Sequence, residues 1–381
     1  MSELDFQQKS YQKLVQAAPA FSPEESSTAL KELMDFVRLY AGVEDHTDAE
    51  MMGFLSTANR QPDLAPVEIL AQHWIPYDFD VRTAEIHWCV PQGRAVQPFY
   101  DEYLTHCRQH LVNALVVPRS SIKSLLCFAD RLPELPDPSG FIFHLSRCGS
   151  TLVSGCFAEL EHCSVLSESP LLTDILLARH LSLDDKKALL RLCLYLQGRP
   201  TAEQPNVIVK WNAWDIFFWE LIREIWPRVP VLFLTRDPVE ILASHMKHTG
   251  RHMSGDLTLA HVHKVLAASD GFTILPDYRI KVLQGLMTKM LNVCQNDNVF
   301  LWDYAMLDES ALMKIFSCFK IEIASYQSMR LRLRLTRHSK SPHLRFQTDS
   351  AEKRSSLPPE QVDCIQSLLS DLHKALIRKA H

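Results

Sequence analysis

Apolar residues in this chain change their spacing near residue 140. Over residues 1 to about 72 they recur at helical intervals, as at Leu30, Leu33, Met34 and Val37, with few signs of strand. Beyond it, short apolar runs at 141–145, 164–167, 206–211, 230–235 and 298–304 alternate with helix-spaced stretches. Short runs that are mostly apolar rather than alternating predict strands covered on both faces, and the helical stretches between them supply the cover. The expected fold is α/β: a three-layer sandwich around a mostly parallel sheet, preceded by a helical region over residues 1 to about 72. Residues 73–130 read as mixed, with a short strand at Glu85–Val90 and a helix over Tyr100–Val116. A proline-rich connector, 131–140, then divides an N-terminal region (1–130) with no recognisable motif from an α/β domain (140–381).

Composition narrows the field. The 381 residues are 46% hydrophobic and 22% charged, an ordinary globular balance, and 40 basic against 45 acidic side chains give a formal charge of −5. No global field draws this chain to nucleic acid or an anionic membrane, so any anion site must be local. The N-terminus lacks the basic start and apolar core of a secretory signal, and no stretch approaches about 20 apolar residues, so a cytoplasmic location is expected. Ten cysteines without a C-x-x-C pair point to small buried hydrophobes in a reducing compartment rather than a zinc or redox site.

The local anion site is visible at 141–154, where the first strand breaks into a glycine-containing turn and a helix follows. Such a turn aims the helix's unpaired N–H groups and the positive end of its dipole at one spot. Ser146, Arg147, Ser150 and Thr151 add donors there. The nucleotide-hydrolase pattern G-x-x-x-x-G-K-[ST] is absent, because Gly149 is followed by Ser150 and the cation, Arg147, comes first. Residues 229–244 repeat the strand, turn and helix, with Arg236 at the strand end and Ser244 two turns into the helix.

Together these segments resemble the sulfotransferase family, whose members use 3′-phosphoadenosine 5′-phosphosulfate as donor on a P-loop nucleotide-binding type of fold. The resemblance covers roughly residues 140–355. It implies that Ser146, Arg147, Cys148, Gly149, Ser150 and Thr151 hold the donor's 5′-phosphosulfate, and that Arg236 and Ser244, eight residues apart, hold its 3′-phosphate. Glu168, after the second strand, and Lys210, at the end of the third, resemble the base and the cation of the tyrosylprotein branch. Ser339 and Lys340, with Arg337, resemble a basic loop that binds donor phosphates, and Tyr304 after the last strand reads as structural. The run Arg330–Lys340 alternates Arg with Leu, which suits an extended segment with Arg on one face.

The chemistry these residues suit is sulfuryl transfer to a hydroxyl or amine of a small-molecule or peptide acceptor. Arg147 and Lys210 would meet the charge growing on the departing oxygen, and Glu168 would take the acceptor's proton. No metal is expected. His144, His245 and His248 are alternative bases, and His245, His248 and His252 read as a solvated helix face or acceptor-site wall rather than a metal site, with no H-E-x-x-H. Two other functions stay open: a nucleotide-dependent kinase on a related fold, using Ser150 and Asp237 for magnesium, and a non-catalytic nucleotide-binding protein. Arg236 beside Asp237 could also be a local ion pair at a helix start.

Overall fold

The computed structural model describes residues 3–23, 27–255, 259, 275–296, 298–337 and 350–380. The chain divides into two compact units. One comprises Met1–Ala95, Tyr100–Pro136 and Ser169–Arg199; the other comprises Val96–Phe99, Asp137–Glu168 and Pro200–His381.

The first unit opens with helices Glu3–Ala17, Ala29–Ala41, Asp48–Ala58 and Val67–His73. Leu33 and Val37, from the predicted stripe, are buried, while Leu30 is exposed. Strands β1 (Ile75–Asp80), β2 (Glu85–Cys89) and β3 (Arg119–Ser121) form an antiparallel sheet in that order. The helix expected over 100–116 divides into Tyr100–Arg108 and Leu111–Leu115, because His110 is extended between them. Asn113 ties this region together by accepting from the Val90 N–H (2.7 Å) and donating to the Val90 and Cys107 carbonyls (both 2.8 Å). Helices Pro170–Leu177 and Leu183–Gly198 belong to the same unit although they come after the first two strands of the other. Gln197 anchors them, accepting from Ser169 (2.8 Å) and donating to the Pro76 carbonyl (2.9 Å).

The second unit is built on five parallel strands: β4 (Gly140–His144), β5 (Cys163–Ser167), β6 (Asn206–Lys210), β7 (Val231–Thr235) and β8 (Val299–Asp303). Their spatial order is β5-β6-β4-β7-β8. Each lies within a residue or two of its predicted run. Side chains alternate between two buried faces, as continuous apolar runs require. Ile142, Ile208, Leu232, Leu234 and Trp302 join Phe157 and Phe316 from helices Ser150–Ala158 and Glu309–Cys318. The opposite parity, Phe141, Phe143 and Phe233, packs with Trp211, Trp219 and Trp226. With helices on both faces, the sheet is the middle of three layers.

One expectation is overturned. Residues 330–335 are not extended; they complete the helix Ser325–Leu335. Residues spaced by two can satisfy a helix when every second pair, such as Leu331 and Leu335, falls four apart on one face. Leu331 is fully buried in the core, and the Arg334 guanidinium lies across Gly155, where a Cβ would meet its Nη2 at 2.7 Å. Packing against the helix Ser150–Ala158 thus outweighs the two-residue period.

Candidate active site

Strand register creates the site. Lys210, the last residue of β6, is paired with Ser167 of β5 on one side and Ile142 of β4 on the other. Glu168 therefore stands one residue past the sheet on one flank of Lys210, and His144 ends β4 on the other flank. Glu168 donates its N–H to the Lys210 carbonyl (2.6 Å) and then turns into the left-handed region, φ 57°. That conformation costs a non-glycine residue free energy, and the neighbouring contacts must hold it.

Those contacts are charged. The Lys210 ammonium is fully buried and lies 2.6 Å from Glu168 Oε1, 3.3 Å from Thr151 Oγ1 and 4.9 Å from the centre of the Phe99 ring. A buried ammonium needs such partners. His144, also buried, accepts the Ser146 N–H on Nδ1 (2.9 Å) and sets Nε2 3.3 Å from the same Oε1. Burial works to raise the Glu168 pKa, but the charge of Lys210 and the neighbouring His144 outweigh it and hold the carboxyl well below its ordinary range. For His144 burial wins: its imidazole is held below the usual histidine range despite the pull of Glu168.

The anion turn lies beside this cluster. Ser146 (φ 65°), Arg147 (φ 53°) and Gly149 (φ 82°) are all left-handed. Gly149 is required twice over, since a Cβ there would also sit 2.7 Å from the Tyr304 ring. The helix Ser150–Ala158 begins with no side-chain cap and no acidic residue in its first turn. By contrast, Asp237 caps the helix Pro238–Lys247 by accepting from the Val239 and Glu240 N–H groups. An uncapped start keeps the dipole's positive end for a ligand.

Arg147 Nε donates to Ser244 Oγ (2.8 Å), linking the two predicted anion motifs directly. Arg236 donates to Glu240 Oε2 (2.8 Å) and to the Arg147 carbonyl (3.2 Å), and its guanidinium carbon lies 4.1 Å from the centre of the Tyr304 ring. Its acidic partner is therefore Glu240, one helical turn on, rather than the adjacent Asp237. Asp237 instead pairs with Arg354 (2.8 Å).

A cavity of about 660 Å³ opens over these groups. Ser146, Arg147, Gly149, Ser150, Thr151, Glu168, Arg236 and Ser244 all line it. Among the described lining residues, Glu168 is the one carboxylate against Arg147, Arg236, Arg251, Arg337 and Lys353. Three of the solved structures this chain is similar to are sulfotransferases. STF9 from Mycobacterium avium matches with TM-score 0.43 and 11% identity over 66% of this chain and 80% of that one. The enzyme from Alicyclobacillus acidocaldarius gives 0.34 and 13% over 62% and 97%, and mouse SULT7A1 complexed with PAP gives 0.33 and 10% over 66% and 89%. No family model and no curated protein matches the sequence.

Two predicted residues stand behind the cavity wall rather than on it. Lys210 reaches the site through Glu168 and Thr151, and Cys148 donates its thiol to the Leu234 carbonyl (3.2 Å), with burial pushing its pKa up to about 12. Ser339 and Lys340 lie outside the described residues. Tyr304, read from the sequence as structural, faces the cavity; its position just past β8 matches the strand-end logic that marked Glu168 and Lys210. Phe99, Trp214 and Lys353 also line the cavity and had no motif to mark them. Of the two readings of the three spaced histidines, the solvated helix face fails, while His245, His248 and His252 all line the cavity wall. The helix stops at Lys247, and His245 and His252 are buried with ring centres 5.4 Å apart. No cluster of three or more His, Cys, Asp or Glu among the described residues is arranged to hold a metal ion, and none of the described helices is long and apolar enough to cross a membrane.

Proposed function

We propose that this chain transfers a sulfuryl group from 3′-phosphoadenosine 5′-phosphosulfate to a hydroxyl or amine. The observation that carries the reading is the meeting of an uncapped helix start, two arginines and a Lys–Glu pair at the carboxyl ends of a parallel sheet. In this reading the turn 146–151 holds the phosphosulfate, and Arg236 and Ser244 hold the 3′-phosphate. The acceptor oxygen or nitrogen gives its proton to Glu168 as it bonds to sulfur. The bond between sulfur and the phosphate's bridging oxygen breaks, and 3′,5′-adenosine bisphosphate leaves with that electron pair. Arg147 offsets the growing charge on the leaving oxygen. Once Glu168 is protonated, Lys210 loses its counter-charge and its ammonium can turn toward the transferring group.

Two histidines are poorly set to replace Glu168 as base. His144 Nδ1 accepts from Ser146 and His245 Nδ1 accepts from Gly250 (3.2 Å), so each neutral ring keeps its proton on the nitrogen left over. The kinase alternative is weakened because Asp237, its metal-ligand candidate, is occupied as a helix cap and as the partner of Arg354. The test is turnover of ³⁵S-labelled donor with a panel of phenols, alcohols and amines. Transfer of label at a rate lowered about 10²–10⁴-fold by Glu168→Gln is expected; label retained on the donor with every acceptor, alongside phosphate transfer from ATP, would reverse the conclusion.

A further inference from the structure

His144 has no part in the chemistry just described, yet its ring touches both halves of the site. Its Nδ1 takes the Ser146 N–H, from the left-handed turn assigned to the donor, and its Nε2 faces the carboxylate assigned to the acceptor. A nitrogen that accepts a hydrogen bond carries no proton, so the ring is neutral and its one N–H lies on Nε2. That buried N–H has no hydrogen-bond partner as the ring stands, and it lies 3.3 Å from Oε1 of Glu168, the oxygen that Lys210 also approaches. A small turn of the ring would put a second donor on that oxygen beside Lys210, and two donors on one carboxylate oxygen would fix the rotation of the group.

We propose that His144 is a positioning residue for the reaction, a neutral Nε2–H imidazole that locks Oε1 of Glu168 and leaves Oε2 to take the acceptor's proton. The inference rests on the sulfuryl-transfer reading of this site. It also couples the two substrates. Ser146 holds Nδ1 only while the turn keeps its left-handed form, so the base is oriented when the turn is shaped for an anion. If the turn relaxed, the ring could change tautomer or flip, and Glu168 would keep Lys210 alone. The groups acting on Glu168 are Lys210 from β6 and His144 from β4; those acting on His144 are Glu168, Lys210 and the backbone of Trp211.

Two substitutions separate the nitrogens. In His144→Asn the side-chain oxygen stands where Nδ1 stood and can still accept from Ser146, but nothing reaches Glu168. In His144→Gln the amide nitrogen stands where Nε2 stood. The Asn variant should lose about 10- to 100-fold in kcat, with the donor KM within about twofold and the acid limb of the kcat profile moved to higher pH, because Glu168 has lost a donor to its ionised form. The Gln variant should stay within about threefold of the parent with the limb unmoved. Equal losses in both with an unmoved limb would make His144 merely structural and overturn the proposal. The ¹⁵N spectrum of histidine-labelled parent protein gives a reading that does not depend on the variants' folding well enough to assay. His144, assigned by the signal missing from either variant, should be neutral and protonated on Nε2 at pH 7. An Nδ1–H ring or an imidazolium in an active parent overturns the role of His144 alone. A parent with the expected tautomer but no sulfuryl transfer overturns the reaction and the role together.

Discussion

Replacing Lys210 by Met keeps the stem that packs beneath the cavity and deletes a fully buried ammonium 2.6 Å from Glu168 Oε1. Exposed ion pairs contribute about 0–1 kcal/mol, whereas orphaning one member of a fully buried pair costs about 3–5 kcal/mol. The Glu168 side chain is 22% exposed, so water screens it partly, and the expected loss at pH 7 lies between these limits, about 2–3 kcal/mol. Glu168→Gln alone leaves the ammonium without its counter-charge. Combining the two substitutions should recover about 1–2 kcal/mol relative to the sum of the single losses. The pH dependence has a definite sign. A carboxyl whose folded pKa is depressed stabilises the native state above its unfolded value, about 4.3, and that contribution is lost as pH falls through the folded pKa. Without Lys210, burial acts on Glu168 against the nearby His144 alone, so the variant's deficit should be largest above about pH 5 and shrink below about pH 4. Urea unfolding followed by tryptophan fluorescence and circular dichroism, at pH 7 and pH 4, measures both quantities. A coupling below about 0.3 kcal/mol, or a deficit unchanged by pH, would refute a desolvated Lys–Glu pair.

Gly149→Ala should cost more stability than Gly42→Ala. Both glycines are left-handed, at φ 82° and 65°, but a Cβ at 149 meets the Tyr304 ring at 2.7 Å while one at 42 meets nothing within 4 Å. Melting curves of the two variants should show about 1 kcal/mol lost at 42 and about 2–3 kcal/mol at 149; equal losses would remove the ring contact from the account. The depressed pKa of His144 predicts a second pH effect. Below the unfolded histidine value of about 6.5, the unfolded chain takes up a proton that the native ring resists, so the His144 contribution to stability falls as pH drops below about 6.5, and His144→Gln should flatten that part of the curve. A variant with the same slope as the parent between pH 7 and pH 5 would contradict it.

Five strands could be read from the sequence because each is a short run with an apolar centre and polar residues mainly at its ends, and apolar composition is what a doubly covered strand requires. Pairing could not be read. The order β5-β6-β4-β7-β8 is set by crossovers, and its β5-β6-β4 portion places His144 and Glu168 on either side of Lys210. Glu168 and Lys210 were legible as polar residues at strand ends, but His144 entered only as an alternative base, since its contacts with Ser146 and Glu168 exist only in the folded register. The Arg147–Ser244 contact was equally hidden, although both residues belonged to motifs. The Arg330–Arg334 alternation misled because a period of two does not exclude a helix when Leu331 and Leu335 share a face. Residues 169–199 follow directly on Glu168, yet Gln197 binds them to β1, a long-range tie that no local pattern marks.

A calorimetric titration of the full chain with 3′,5′-adenosine bisphosphate and, separately, with AMP tests whether the two anion motifs form one donor site. The two ligands differ in the 3′-phosphate assigned to Arg236 and Ser244, and a charge-assisted hydrogen bond contributes about 1.5–3 kcal/mol. The bisphosphate should therefore bind at least about tenfold more tightly than AMP. Equal affinity for the two nucleotides, or no binding of the bisphosphate, would contradict a donor site built from the two anion motifs.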